Sequence, residues 1–352
     1  MTEINYLDQA APLPLGVEQQ SPGFILRPGK TEDVNSLAEL FSVTYGQTTH
    51  PCQNPIHIYN AMISGLQKWF IVDIDSLIVG CLCIARRPWN QSWEVCYGMV
   101  HPDTRRAGLI SSLVRLGLGS HFTESIELGF YITRNIASHS VMKKIRAAVL
   151  VGHDGGPDMV DGVREYHFTA IHPRAADGFR HIAPWYASKS GTEFISDYLY
   201  KSLSLEPVSD AYPATYLTGP QGTDQHGALL YSYDPAAKAL MLSGYVGTSE
   251  TGQGIMDELK ALLQHWKSAE YVSACVLADK LELISSMIRL GFSITAYLPA
   301  WYQQDGARYD CILLVLQDFP QVPRSHGFDA EVMFFDQAYS RLTKHLCNIS
   351  PN

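Results

Sequence analysis

The sequence predicts an α/β (α+β) protein built on a mixed, mostly antiparallel twisted sheet flanked by helices, and it predicts this arrangement twice in tandem. Three observations carry the prediction. Apolar runs with strand character alternate with helix-periodic runs in the order β-α-α-β-β-β-α-β-α over residues 23–170. Within that order, an apolar strand ends at Val100, a polar turn holding Arg105 and Arg106 follows, and Gly108 opens an apolar helical run. A second, weaker series of the same kind fills residues 227–318, an internal repeat longer than solenoid periods.

The elements follow in order. Residues 24–27 read as a short strand. Thr31, followed by Glu32 and Asp33, reads as the cap of an amphipathic helix carrying Val34, Leu37, Leu40 and Phe41. Residues 54–66 read as a second helix. Strands are predicted at 68–73 and 76–86, joined at Asp75, and at 93–100 after a loop at 88–92. Cys81 and Cys83 alternate within a strand and so share one face. The motif helix covers 109–118, and a strand at 126–133 and a helix at 138–147 complete the first series.

In the second series, strands at 228–233 and 239–246 flank the Asp234-Pro235 turn. Thr251-Gly252-Gln253-Gly254 opens a helix reaching Trp266. A strand at 271–277, a helix at 281–290 closed by Gly291, and strands at 294–301 and 309–316 follow. Laid over the first series, Gly254 falls on Gly108, Ile255 on Leu109, Thr251 on Arg105 and Met256 on Ile110. The predicted organisation is a flexible N-terminal arm at 1–22, a first domain at 23–170, a proline-rich junction at 171–226 with one helical stretch at 192–203, a second domain at 227–318, and a tail at 319–352. The tail helix, 329–346, is expected to dock, because Val332, Phe334, Phe335, Tyr339 and Leu342 are too apolar for a free tail.

Composition narrows the function classes. With 352 residues, 46% hydrophobic and 17% charged, the chain has room for two domains with real cores. No apolar run approaches the ~20 residues of a membrane-spanning helix, and the N-terminus lacks the pattern of a signal peptide. A net charge of −9 argues against broad nucleic-acid binding, with a local basic patch for tRNA left open. Seven cysteines, mostly in apolar strands, fit reduced core thiols in a cytoplasmic protein, and none has the companions that a metal site needs.

The stretch Met99-Val-His-Pro-Asp-Thr-Arg-Arg-Ala-Gly-Leu-Ile110 carries the chemistry. The first N–H groups of a helix have no partner inside it, and the helix dipole is positive there. A pyrophosphate fits such an end, and a glycine lets it come close to the backbone. Arg105, Gly108 and the strand ending at Val100 resemble the acyl-CoA motif of the GNAT superfamily of N-acetyltransferases, with Ile110 where the motif has Gly or Ala. The element order resembles that superfamily over residues 23–170. Leu290-Gly291-Phe292 resembles the Leu-Gly-Phe that closes its late helix. The fold this implies is a tandem GNAT pair with a degenerate second copy; the alternative is a single domain with an elaborated C-terminal half.

The resemblance implies acetyl-CoA, or another acyl-CoA, as co-substrate. It would be held by Met99, Val100, Arg105, Arg106, Ala107, Gly108, Leu109 and Ile110, with Asn135 and Ser138. It implies catalytic roles for Glu94, Tyr97 and Asn135: Glu94 as general base, and the backbone of 97–100 against the thioester arm. A carboxylate between Trp93 and Val95 is placed for a raised pKa, or it points outward at a strand end. The superfamily's tyrosine acid, seven residues after Asn135, is replaced by Met142, so Tyr131, Tyr166 or water would have to substitute. His50 and His57 fall where the resemblance places the acceptor pocket, with Tyr45, Trp69 and Trp89 as further lining candidates. Each of these also has a plain reading as surface or core.

His101 reads as a turn residue, and His153-Asp154-Gly155-Gly156 as a hairpin turn. Tyr302, Arg308 and Asp310, around the Asp305-Gly306 turn, read as a solvated hairpin tip, with a place facing a domain cleft as the alternative. The leading functional reading is an acyl-CoA-dependent N-acyltransferase acting on a small amine or amino-acid-like acceptor. The alternatives are a transferase using another donor, such as aminoacyl-tRNA, and a non-catalytic acyl-CoA-binding or interaction module. The oligomeric state is left open.

Overall fold

The computed structural model describes residues 19–21, 23–46, 50–104, 108–121, 127–145, 147–172, 179–220, 222–246 and 251–348. They form two compact units, one of residues 1–86 and 95–123, the other of residues 87–94 and 124–352.

In the first unit, strand β1 (Gln19–Ser21) pairs with β2 (Phe24–Pro28), β2 with β3 (Gln67–Ile74), and β3 with β4 (Leu77–Arg87), all antiparallel. Strand β5 (Ser92–Val100) lies next to β4. Asp75 and Ser76, with φ of 51° and 67°, make the tight β3–β4 hairpin turn. Strand alternation sorts the core into two faces. Trp69, Ile71, Cys81 and Cys83 meet helices α1 (Val34–Tyr45) and α2 (Pro55–Ile63). Phe70, Leu82 and Ile84 meet Gly117 of helix α3 (Leu109–His121). The entry to α1 differs from the Thr31 cap that the sequence suggests. Residues Thr31–Asp33 form a 3-10 turn, and the Asp33 carboxylate accepts from the Lys30 N–H at 2.7 Å while pairing with Arg27 at 2.7 Å. Aspartate ionises and threonine does not, so Asp33 can serve both partners.

The second unit carries β6 (Leu128–Thr133), α4 (Ile136–Lys144), β7 (Val149–His153), the small hairpin β8 (Asp158–Val160) and β9 (Val163–Glu165), and β10 (Phe168–Ile171). Next come β11 (Arg180–Ile182), a π-helical turn Phe194–Tyr200 continued by α5 (Lys201–Leu203), β12 (Leu217–Thr218), β13 (Asp224–His226), β14 (Leu229–Asp234) and β15 (Ala239–Tyr245). The last elements are α6 (Gly252–His265), β16 (Tyr271–Leu277), α7 (Leu281–Arg289), β17 (Ser293–Gln304), β18 (Ala307–Gln317) and α8 (Asp329–Asn348). The strands run β6-β10-β7-β17-β18-β16-β15-β14-β13, with β11 added to β18 and β12 to β16. On α8, Phe335, Tyr339, Leu342 and Leu346 are buried, which docks the tail.

Two runs of this topology match. Residues Ser92–Glu94 of β5 pair in parallel with Leu128–Phe130 of β6, and the order continues antiparallel through β10 and β7. Strands β15 and β16 pair in parallel over Ala239–Leu242 and Tyr271–Ala274, and the order continues antiparallel through β18 and β17. A helix, α3 or α6, fills each parallel crossover, as parallel neighbours require. The runs join where β7 meets β17. There Gly152 faces Ala296, and a Cβ on Gly152 would lie 2.5 Å from the Ala296 Cα.

Candidate active site

In the first unit the site is built on β5. Its extended run is broken at Tyr97, which takes a left-handed φ of 53°. For a residue with a Cβ this conformation costs about 1–2 kcal/mol, and within a strand it turns the backbone out of the regular ladder. Neighbouring side chains hold it there. The Tyr97 ring stacks on Trp69 (5.8 Å, 11°) and meets Phe41 and His50 edge-on at 5.7 Å and 5.4 Å. The Tyr97 carbonyl accepts from the Cys81 thiol at 3.5 Å. Tyr45 stacks on the far side of His50 at 5.1 Å. A continuous aromatic ladder therefore runs from the break in β5 to an exposed tyrosine.

His50 in this ladder is a donor rather than a base. Its Nδ1 accepts from the Cys52 N–H at 3.1 Å, and burial, with His57 nearby, holds its pKa below the usual histidine value. A neutral imidazole whose Nδ1 is an acceptor carries its proton on Nε2. His57 is exposed on α2. Below the ladder, Cys52, Cys81 and Cys83 pack in one core with Cys96. Burial pushes the Cys52 thiol up to about 12 and the Cys81 and Cys83 thiols higher, so none of these three is a ready thiolate.

After Val100 the chain turns. The His101 N–H donates to the Val79 carbonyl at 2.7 Å, and His101 Nδ1 accepts from the Asp103 N–H, which makes it a turn residue. Arg105, Arg106 and Ala107 lie outside the described residues. Gly108 has a φ of 106°, and among the described residues a Cβ built on it meets nothing within 4 Å. Leu109, the first residue of α3, is buried, Ile110 is half-buried, and no acidic side chain stands in the first turn. A helix start without an acidic side chain suits an anionic group. Met99 is buried and Val100 half-buried on the strand leading in.

The remaining predicted residues belong to the second unit. Glu94 is half-buried between buried Trp93 and Val95. It does not stand alone there: its Oε2 accepts from Arg87 Nε at 2.8 Å and also from Arg87 Nη2. Asn135 caps α4, its Oδ1 accepting from the Ala137 N–H at 2.8 Å, and Ser138 is exposed in the first turn. Met142 is buried on α4 one turn beyond His139. His139 Nδ1 and the Tyr131 hydroxyl are 2.6 Å apart. Burial, helped by Lys143, pushes His139 down to about 4, and burial alone pushes Tyr131 up. Both members of this pair stay neutral near pH 7, so neither readily gives a proton to a leaving thiolate. Tyr166, pushed up to about 12 mainly by burial, is no better placed. Trp89 tilts on Trp301 at 6.0 Å, in a cluster separate from that of Trp69 and Tyr45.

Two sequence expectations are overturned. Arg308 and Asp310 do not sit at a solvated hairpin tip; both are fully buried. Asp310 Oδ1 accepts from His181 Nε2 (2.6 Å) and the Ala300 N–H (2.8 Å). Its Oδ2 accepts from Tyr297 (2.6 Å) and Tyr200. Arg308 donates to the carbonyls of Ala300 (3.1 Å), Asn90 (3.3 Å) and Gln91, and burial pushes its pKa down to about 9. The hairpin tip is residues Asp305 and Gly306. Alternation from there could not reveal the burial, because the covering partners come from β11 and from the Phe194–Tyr200 turn, more than a hundred residues earlier. His153-Asp154-Gly155-Gly156 is not the hairpin turn that the sequence suggests: β7, which ends at His153, pairs with β10 while β8 pairs with β9, and Asp154 fixes this connection by accepting from the N–H groups of Gly156 (2.9 Å) and His167 (3.0 Å). Among the described residues, no group of three or more His, Cys, Asp or Glu side chains is arranged to hold a metal ion.

No protein-family model and no curated protein matches the chain. Solved acetyltransferases match part of it. The ribosomal-protein-S5-alanine acetyltransferase of Vibrio fischeri is 18% identical, over 44% of this chain and 95% of that one, with a TM-score of 0.36. A GNAT-family acetyltransferase of Streptococcus pneumoniae is 14% identical, over 42% and 97%, with a TM-score of 0.37. The diaminobutyrate acetyltransferase EctA of Paenibacillus lautus, solved with L-2,4-diaminobutyric acid and coenzyme A, is 16% identical, over 43% and 95%, with a TM-score of 0.35.

Proposed function

We propose that the chain is an acyl-CoA-dependent N-acyltransferase, most simply an N-acetyltransferase, acting on a small amine or amino-acid-like acceptor. The observation that carries this reading is the succession of a strand broken at Tyr97, a turn, left-handed Gly108 and the start of α3, with no acidic side chain in its first turn. In this reading the pyrophosphate of the co-substrate lies above Gly108 and the N–H groups that open α3, with Arg105 and Arg106 as its cationic partners. Its thioester arm lies along 97–100, on the strand that leads to the turn. We also read residues 227–318 as a second copy of the fold at 23–170, supported by the matching strand orders, with 171–226 as the junction.

Acyl transfer forms a bond between the amine nitrogen and the thioester carbon. The C–S bond then breaks, and the amine proton and the thiolate must be accommodated. Glu94, three residues before Tyr97 on β5, is the carboxylate for the amine proton, and Arg87 fixes its orientation. The thiolate is a fair leaving group and departs without a side-chain acid, since Met142 cannot donate and Tyr131 is committed to His139.

A second reading, a non-catalytic acyl-CoA-binding module, is favoured by the pairing of Glu94 with Arg87. Release of free thiol from acetyl-CoA in the presence of a panel of amines separates the two. Turnover that drops in Glu94→Gln supports the transferase. Acetyl-CoA binding without thiol release on any amine supports the binding module.

A further inference from the structure

The parallel pair β15–β16 parts after Leu242 and Ala274. Beyond that point β15 keeps its other neighbour, β14, through Gly244 and Tyr245, and β16 keeps β18 as far as Leu277. An opening between two diverging strands is left, and the chain itself fills it. Strand β12 runs antiparallel to β16, with Leu217 opposite Val276 and Thr218 opposite Cys275. The Leu277 N–H extends the pairing by donating to the Tyr216 carbonyl at 2.9 Å. Since β18 occupies the other edge of β16 along this length, β12 must lie on the β15 side.

The fit is close on that side too. A Cβ on Gly219 would lie 3.2 Å from the Ser243 Cα, and one on Gly222 would lie 2.4 Å from the Tyr231 carbonyl oxygen. The Gly222 N–H donates to Ser243 Oγ at 2.8 Å. Leu217 and Thr218 are buried. The Tyr216 ring reaches the start of α6, within 3.6 Å of where a Cβ on Gly252 would stand, and Lys280 lies over its face while donating to the Pro213 carbonyl at 2.6 Å. Thr251 Oγ1 already accepts from the Gly254 N–H at 3.1 Å.

The first series differs at each of these points. Parallel pairing of β5 with β6 stops at Glu94 and Phe130, and among the described residues no strand joins β6 on that edge at Tyr131–Thr133. Among the described residues nothing lies within 4 Å of where a Cβ on Gly108 would stand. We infer that Tyr216–Gly219 is a built-in plug. It gives the β15–β16 opening the main-chain hydrogen bonds that an amide-bearing arm of a bound ligand would otherwise make, so the C-terminal repeat takes no acyl-CoA and the chain holds one equivalent. The inference rests on reading 227–318 as a second copy of the acyl-CoA fold.

Hydrogen exchange on the full chain, with and without saturating acetyl-CoA, tests it beside a calorimetric titration. The amides of 216–219 are expected to exchange as slowly as those of β16, with no change on adding acetyl-CoA. Gly254→Trp is expected to leave the titration unaltered. Exchange at the rate of an open loop overturns the plug, as does acetyl-CoA that speeds exchange at 216–219 and fills a second equivalent. A slowly exchanging 216–219 in a protein that binds no acetyl-CoA leaves the closed opening standing and removes the proposed function instead.

Discussion

The connections β5–turn–α3 and β15–turn–α6 share one topology and differ in what occupies them. Each joins parallel neighbours through a helix that opens near a glycine. At the first, Gly108 is left-handed with nothing among the described residues within 4 Å of a Cβ placed on it, and the preceding strand is broken at Tyr97. At the second, Thr251 caps the helix, Tyr216 covers its first residue and β12 fills the strand opening. Two connections can thus share a strand order and differ in what covers them, because topology fixes only where an opening forms. Buried polar groups of residues 227–318 hold that region's core together, as at Asp310. On the proposed function, substitutions in residues 227–318 should therefore show in stability, and those around β5 and α3 in binding and turnover.

The largest expected effect is at Asp310. Replacing it with alanine leaves His181 and two tyrosines buried without their acceptor, and should cost about 3–5 kcal/mol in urea unfolding. An effect below about 1 kcal/mol would mean that the cluster is not the knot it looks like. Next is the pH dependence of His139. Its folded pKa is lowered to about 4 from an unfolded value near 6.5, so the unfolded chain binds the proton first as pH falls. Its contribution is fully present above pH 6.5 and drains away towards pH 4, by about 3 kcal/mol at most. In His139→Asn that slope should disappear from a stability–pH profile while acetyl-CoA affinity at pH 7.5 hardly changes.

Gly108→Val comes third. A branched residue at that φ is strained by about 1–2 kcal/mol, and the same change should weaken acetyl-CoA binding about tenfold or more, since it lines the proposed anion site. Gly254→Val, at the matching place in α6, should leave acetyl-CoA affinity unchanged and shift stability by no more than a few tenths of a kcal/mol, since valine is a slightly better helix former than glycine. Equal losses of acetyl-CoA affinity in the two variants would break the comparison. Glu94→Gln should lower turnover and leave affinity almost unchanged.

Much of this was legible in the sequence where the signal was local. The strand at 271–277 and the helix closed by Gly291 follow from periodicity and one left-handed glycine. The shared face of Cys81 and Cys83 follows from alternation. Long-range partners decided the rest. The Arg87 guanidinium on Glu94 links two strands across a loop, and a pattern of apolar residues around a carboxylate says nothing about it. The two-residue strand β12 is too short for any periodicity, and its Leu-Thr reads as loop until Val276 and Cys275 stand opposite it. The left-handed Tyr97 is equally silent, because nothing in Cys-Tyr-Gly distinguishes a break from a continuing strand.

The account turns on a single acyl-CoA site at the start of α3, and a calorimetric titration of the intact chain with acetyl-CoA, repeated on Gly108→Val and Gly254→Val, tests it most directly. One equivalent that weakens at least tenfold in Gly108→Val and is untouched in Gly254→Val is the predicted result. No heat of binding in any of the three proteins, or a loss confined to Gly254→Val, would contradict it.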